Sequence, residues 1–456
     1  MFRAINPTDG RLVRELPLDD PDAVERKLAT AHRAWQEWRR TPIAERAALA
    51  LRVAAVLRDG REKLAPLMTE EMGKPIREAR GEVEKAAWCF EHYAEHAEGY
   101  LAPEPLASDA TRSWVQYLPL GPILGILPWN APFWLWSRVA APALLAGNAV
   151  LLKHDPHVPG CADALARVAH EAGLPEGIHQ ILRIDTEATE GVLRDGRVAA
   201  ASLTGSVRAG AAVGAIASSE IKPSVLELGG SDPCLVLTDA DLEEAAGAAC
   251  TMRIINAGQS CIAAKRIVVE APVYDRFAAA LKDRLAALRV GDPADPDTDV
   301  GPLAREDLRA DLHRQVRESL AGGARCLLGG ELPEGPGCFY PVTLLADVTP
   351  EMPAFREETF GPVAALVRAR DAEHALELAN DTDYGLAASI FTSAERGVEM
   401  ASRLEAGQVA VNGAVKTDPR LPSGGIKRSG YGRELGPQGI REFVNIQQVW
   451  VGPKRA

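Results

Sequence analysis

Apolar residues recur at helical spacing through residues 1–100. Over 23–38 they fall three and four apart, behind the acidic pair Asp19-Asp20 and a Pro21 suited to a first helical turn. The stretches 44–57 and 76–100 repeat the pattern, so three helices are predicted. Past Ser113 the period changes. Trp114-Val115-Gln116-Tyr117 alternates as a strand does, Leu120-Gly121-Pro122 turns it, and 123–127 is a short apolar strand. Strands at 149–152, 179–184, 198–203 and 225–228 then alternate with helices at 160–172 and 209–218, a βαβ series that predicts a parallel sheet. A second series follows Gly230: strands at 233–237, 267–269 and 409–412, helices at 242–255, 272–288 and 303–320. The turn-rich stretch 291–296 reads as a connector within a domain, and the alternating tail 443–447 as a sheet edge that pairs with another subunit.

At 456 residues the chain exceeds one ordinary core, so two large lobes are expected. Net charge is −12 with both signs interspersed, which argues against a nucleic-acid surface. The apolar region 118–152 is broken by Pro119, Pro122, Pro128, Pro132 and Pro142 and carries Arg138, so it does not read as a membrane span. Residues 1–7 lead into no apolar core of signal-peptide length, so no signal peptide is expected. The 7 cysteines are scattered and form no CxxC pair, which excludes a disulfide framework or a cysteine zinc site and places the chain in the reducing cytoplasm. His92-Tyr93-Ala94-Glu95-His96 matches an HxxEH metal motif, but the surrounding glutamates read as a solvated helix face; no metal is expected.

One cysteine stands apart. Cys261 follows Gly258-Gln259-Ser260, small and polar residues that allow close backbone approach and can aim amide N–H groups at a sulfur or oxyanion. Taken alone it reads as a buried structural thiol. Glu227, in Leu226-Glu227-Leu228-Gly229-Gly230, can serve as a base whose pKa a partly dry pocket raises; the plainer reading is a solvent-facing glutamate at a strand end. Asn130, in Leu127-Pro128-Trp129-Asn130, can offer an amide to an oxyanion or sit in an ordinary turn. Thr204-Gly205-Ser206 follows a strand and opens a helix, the context of a pyrophosphate site, although it lacks the GxGxxG pattern.

These motifs, with Glu357-Glu358-Thr359-Phe360-Gly361-Pro362 and Pro422-Ser423-Gly424-Gly425-Ile426-Lys427, resemble the aldehyde dehydrogenase superfamily in order and over nearly the whole chain. The resemblance implies an α/β fold: a Rossmann-type cofactor-binding domain over 1–228, a catalytic domain over 229–435, and a small β oligomerisation element built from 101–120 and the tail 436–456. It implies Cys261 as nucleophile, Glu227 as the base that activates water on a thioester, and Asn130 with the Cys261 backbone N–H as oxyanion hole. Relatives that pass the acyl group to coenzyme A typically lack the glutamate, so its presence implies hydrolysis to a free acid. The same resemblance places NAD or NADP against Trp129, Lys153, Thr204, Gly205, Ser206, Leu228, Glu358 and Phe360, in a homodimer or homotetramer.

Departures from the family pattern bear on specificity. Pro156 stands where NAD-preferring relatives carry a glutamate that repels a 2′-phosphate, which leaves NAD and NADP both open. Ala131 and Ser423 replace two phenylalanines of the substrate tunnel, so a bulkier or aromatic aldehyde is one alternative unless Trp134 or Trp136 fills the gap. Trp134, Arg138 and Ser260 are the remaining substrate candidates. Arg138 is suited to grip a substrate carboxylate, and 152–154, 228–233 and 429–435 resemble bacterial succinate-semialdehyde dehydrogenases. Oxidation of succinate semialdehyde to succinate is therefore the leading expectation. An inactive scaffold serving as a binding protein is the alternative of another class.

Overall fold

Three helices open the chain after a short N-terminal hairpin, Phe2–Ile5 with Leu12–Leu16, in a computed structural model that describes residues 1–452. Helix Pro21–Trp38 starts where Asp20 accepts the Ala23 N–H, with proline in its first turn. Helix Ile43–Met72 runs past the predicted end at 57 and through Gly60 and Pro66. Burial of Leu64, Ala65, Met68 and Met72 outweighs the propensity cost of both residues. Helix Ile76–Tyr100 matches its predicted bounds.

The α/β architecture rests on two large sheets. The first runs Gly430–Tyr431, Ser224–Glu227, Ala200–Thr204, Pro122–Leu127, Ala149–His154, His179–Ile181; all pairs are parallel except the first. Its edge strand comes from far along the chain, so residues 430–431 complete the sheet of the N-terminal half. The strand predicted over 179–184 ends at Ile181. The second sheet runs Arg325–Leu328, Thr343–Ala346, Val363–Ala369, Ala264–Glu270, Asp232–Val236, Ala387–Phe391, Gln408–Val411, parallel but for its first pair. The strands Val363–Ala369 and Ala387–Phe391 and the helices Ala372–Asn380 and Ala394–Ala401 are additions to the sequence reading. Near-continuous Val, Ile, Leu and Ala runs fit strands covered on both faces.

A third, antiparallel sheet joins Val444–Val451, Arg112–Pro119 and Glu104–Pro105. The alternating tail, expected to pair with another subunit, pairs on one side with its own chain, Val444 opposite Pro119 through Val451 opposite Arg112. Its other edge has no strand partner among the described residues. The last part of the expected tail, 453–456, lies outside the described residues.

Candidate active site

The candidate residues gather where the carboxyl ends of the first sheet's parallel strands face the segments that enter the second. Asn130 follows strand Pro122–Leu127, Thr204 and Glu227 end their strands, and Cys261 precedes strand Ala264–Glu270. Ligands of open α/β sheets bind outside the carboxyl ends of strands.

The loop before Cys261 is held in an unusual backbone. Asn256 and Ala257 both take φ 53° and Gly258 takes φ 75°. A Cβ at Gly258 would lie 2.2 Å from the Gly361 carbonyl oxygen, so only glycine fits. Buried Arg253 donates to the Gly258 carbonyl at 2.7 Å. Lys265 Nζ donates to the Ser260 and Cys261 carbonyls at 3.0 and 2.5 Å. Cys261 is partly exposed. Burial pushes its thiol up, against the opposing charges of Lys265 and Arg138.

Asn130 is stitched to this loop. Its Nδ2 donates to the Gln259 carbonyl at 3.1 Å, and its own carbonyl accepts from Asn256 Nδ2 at 2.9 Å and Lys74 Nζ at 2.8 Å. Glu78 accepts the Asn256 N–H at 2.7 Å. Glu82 is ion-paired with Lys74 and accepts the Phe133 and Trp134 N–H groups at the start of helix Pro132–Leu145. Residues 74–82 thus brace both the Asn130 loop and the Cys261 loop.

Glu227 is 3% exposed, and burial raises its pKa above the ordinary carboxylate range, with Arg138 opposing and Glu434 reinforcing the shift. Its Oε2 accepts from Arg138 Nη2 at 3.1 Å; Oε1 has no partner among the described residues. Arg138 is also ion-paired with buried Glu434 and donates to Ser423 Oγ at 3.3 Å. Two protein carboxylates thus hold the Arg138 guanidinium, and the Ser423 hydroxyl is buried against it. Trp136 is taken up by the core between Phe90 and His179, and Trp134 lies beneath Lys85. Ala131 and Ser260 stay partly exposed.

The cofactor candidates occupy the sheet's carboxyl edge. Thr204 has a buried hydroxyl without a partner among the described residues, and Ser206 caps helix Val207–Ser219 by accepting the Ala209 N–H at 3.3 Å. An unfilled hydroxyl at a helix start fits a pyrophosphate. Lys153 is the penultimate residue of its strand, its ammonium pushed down by burial and supported by Asp155 and Asp185. Trp129 meets Phe360 edge-on at 5.8 Å. Glu358 accepts the Gly230 N–H at 3.2 Å and pairs with Lys265 at 3.3 Å. Leu228 is buried, its side chain packed against Gly210 of helix Val207–Ser219. His92 and His96 stack at 4.4 Å, and His92 Nε2 meets the Tyr100 hydroxyl at 3.1 Å. No cluster of three or more metal-ligating side chains occurs among the described residues.

Sequence reasoning missed Lys74, Glu78, Glu82, Asn256, Gln259, Lys265 and Glu434. Lys74 lies between two helices in no motif of its own, and only the tertiary fold carries it to Asn130.

The aldehyde dehydrogenase family model matches residues 1–449. The chain is 49% identical over 448 residues to succinate semialdehyde dehydrogenase Sad, NAD(P)+, of Escherichia coli K12, covering 98% of this chain and 97% of that protein. It is 48% identical over 451 residues to succinate-semialdehyde dehydrogenase 1, NADP(+), of Mycobacterium tuberculosis H37Rv, covering 98% and 99%. The structure of succinic semialdehyde dehydrogenase from Streptococcus pyogenes in complex with NADP+ superposes with TM-score 0.97 at 35% identity, covering 99% of this chain and 100% of that one.

Proposed function

The chain belongs to the aldehyde dehydrogenase family, and from that premise we propose that it oxidises succinate semialdehyde to succinate with NAD or NADP. The observation that carries the chemistry is the convergence of a partly exposed Cys261, an Asn130 amide tied to its loop, and a buried Glu227 with one carboxylate oxygen unengaged. The substrate reading is supported by likeness to the Escherichia coli and Mycobacterium tuberculosis enzymes over essentially their full lengths.

The Cys261 thiol first gives up its proton, and Glu227 Oε1 is the acceptor the site offers. The sulfur then bonds to the aldehyde carbon, and the carbonyl electron pair moves onto oxygen. Asn130 Nδ2 and the Cys261 N–H hold that oxyanion. When bound, a nicotinamide would accept the hydride that the adduct's carbon gives up, which leaves a thioester on Cys261. Glu227, having passed the thiol's proton to solvent, takes a proton from water, the hydroxyl oxygen bonds to the acyl carbon, and the C–S bond breaks to release the acid and the Cys261 thiolate. Thr204, Gly205 and Ser206 would hold the pyrophosphate, Lys153 the adenosine ribose, Glu358 the nicotinamide ribose, with Trp129, Leu228 and Phe360 around them.

The division into a cofactor lobe over 1–228 and a nucleophile lobe over 229–435 suits this arrangement, Gly430–Tyr431 excepted. The open edge of Val444–Val451 suits a homodimer or homotetramer. Seven cysteines without a disulfide suit the cytoplasm, and no helix among the described residues is long and apolar enough to cross a membrane. The bulkier-aldehyde alternative retains only Ala131, because Ser423 is bound to Arg138. The test follows reduced-cofactor absorbance with succinate semialdehyde and an aldehyde panel under both cofactors. Turnover strongest with succinate semialdehyde is expected; no signal with any aldehyde would sink the reading in favour of an inactive scaffold.

A further inference from the structure

Two residues that serve different partners of the reaction meet at one ammonium. Lys265, fully buried on strand Ala264–Glu270, has three N–H groups to give. It donates to the Ser260 and Cys261 carbonyls at 3.0 and 2.5 Å, and it is ion-paired with Glu358 Oε1 at 3.3 Å. The same Oε1 accepts the Gly230 N–H at 3.2 Å, and a Cβ at Gly229 would lie 2.4 Å from Oε2. The carboxylate therefore rests on the loop that follows Glu227 and reaches the Cys261 loop through Lys265. Its Oε2 takes no protein donor among the described residues.

We propose that Lys265 is a positioning residue that couples cofactor to nucleophile: one ammonium holds Glu358 for the nicotinamide ribose and the Cys261 backbone for the aldehyde. This rests on the reading of Glu358 above. A buried ammonium needs a counter-charge and an acceptor for each N–H. Here the counter-charge comes from the cofactor side and two acceptors from the nucleophile side, so neither side shifts without the other. The two charges also act on the sulfur with opposite signs. The ammonium favours the Cys261 thiolate, and Glu358 disfavours it. Glu358, once it accepts ribose hydroxyls, offsets the ammonium less, so an occupied cofactor site favours the thiolate.

Two readouts that need no turnover test this. The first is the Kd of NADH and NADPH, followed by their fluorescence, in the wild type, Lys265→Met, Glu358→Gln and the double variant. Each single change should weaken binding about tenfold, and the double variant should bind about as Glu358→Gln does, because the lysine acts through that carboxylate. The second is the rate at which iodoacetamide alkylates Cys261 in the cofactor-free protein, read by peptide mass. Lys265→Met should slow it about tenfold and Glu358→Gln should speed it, opposite signs that general damage to the fold would not give. Lys265→Arg should restore part of both losses. If Glu358→Gln leaves both Kd values within about twofold, the ribose reading of Glu358 falls and the coupling with it. If it weakens binding, but Lys265→Met weakens the Glu358→Gln protein as much as the wild type, Lys265 is excluded while the reading of Glu358 stands. Glu358→Gln also probes the link with the lysine untouched, should Lys265→Met not fold: slower or unchanged alkylation there excludes it.

Discussion

Arg138 Nη2 donates to Glu227 Oε2 across 3.1 Å while the same guanidinium is ion-paired with Glu434. One cation thus sets the proton affinity of the candidate base against a second buried acid. Glu227 works as a base only when ionised, so kcat should rise with pH through its raised pKa and level off above it. Glu434→Gln removes a repelling charge and should move that inflection to lower pH. Arg138→Met removes an attracting one and should move it higher, each by about one pH unit, equivalent to 1.36 kcal/mol. The kcat–pH profiles of the three proteins check this. Shifts in the same direction for both variants would contradict it.

Glu227→Gln should separate the two halves of the reaction. Rapid mixing should show a slowed burst of reduced cofactor, because the thiol loses its proton acceptor, and steady turnover should fall further, about 10²–10⁴-fold, the usual worth of a general base. Loss of the burst itself would assign the carboxylate chiefly to thiol deprotonation.

Lys74→Met removes the amine that braces the Asn130 carbonyl and leaves buried Glu82 without its cation. Breaking a buried pair this way typically costs about 3–5 kcal/mol, read here by denaturant unfolding. The hydride burst should slow as well, because the Asn130 carbonyl loses one of its two donors.

Pro156→Glu should discriminate against NADP. A carboxylate at the residue after Asp155 meets the 2′-phosphate side of the adenosine ribose, and the KM for NADP should rise at least about tenfold, while that for NAD changes little. Equal effects on both cofactors would mean that the ribose lies elsewhere.

The long periodic elements were legible because their signal is local. Helix Ile76–Tyr100 and strand Pro122–Leu127 stand where apolar spacing puts them. Local signals failed where tertiary burial decides. Helix Ile43–Met72 continues through Gly60 and Pro66 because its far half is packed, and strand Val363–Ala369 is buried on both faces, so it shows no alternation. Site residues inside short motifs were legible for the same reason. Arg138 was found without its two carboxylate partners, because they lie 89 and 296 positions away and no periodicity reports such a meeting. Lys74 and Glu434 were missed on the same ground.

Segment 423–434 closes against residues made long before it: Ser423 and Glu434 onto Arg138, Gly430 onto Glu227. The carboxylate that would cleave the acyl–enzyme therefore owes its surroundings to a segment about two hundred positions further along. Were that segment undocked, the sulfur and most of the nucleotide-binding strands would still be in place, yet Arg138 would keep a single carboxylate and Glu227 would lose its strand neighbour.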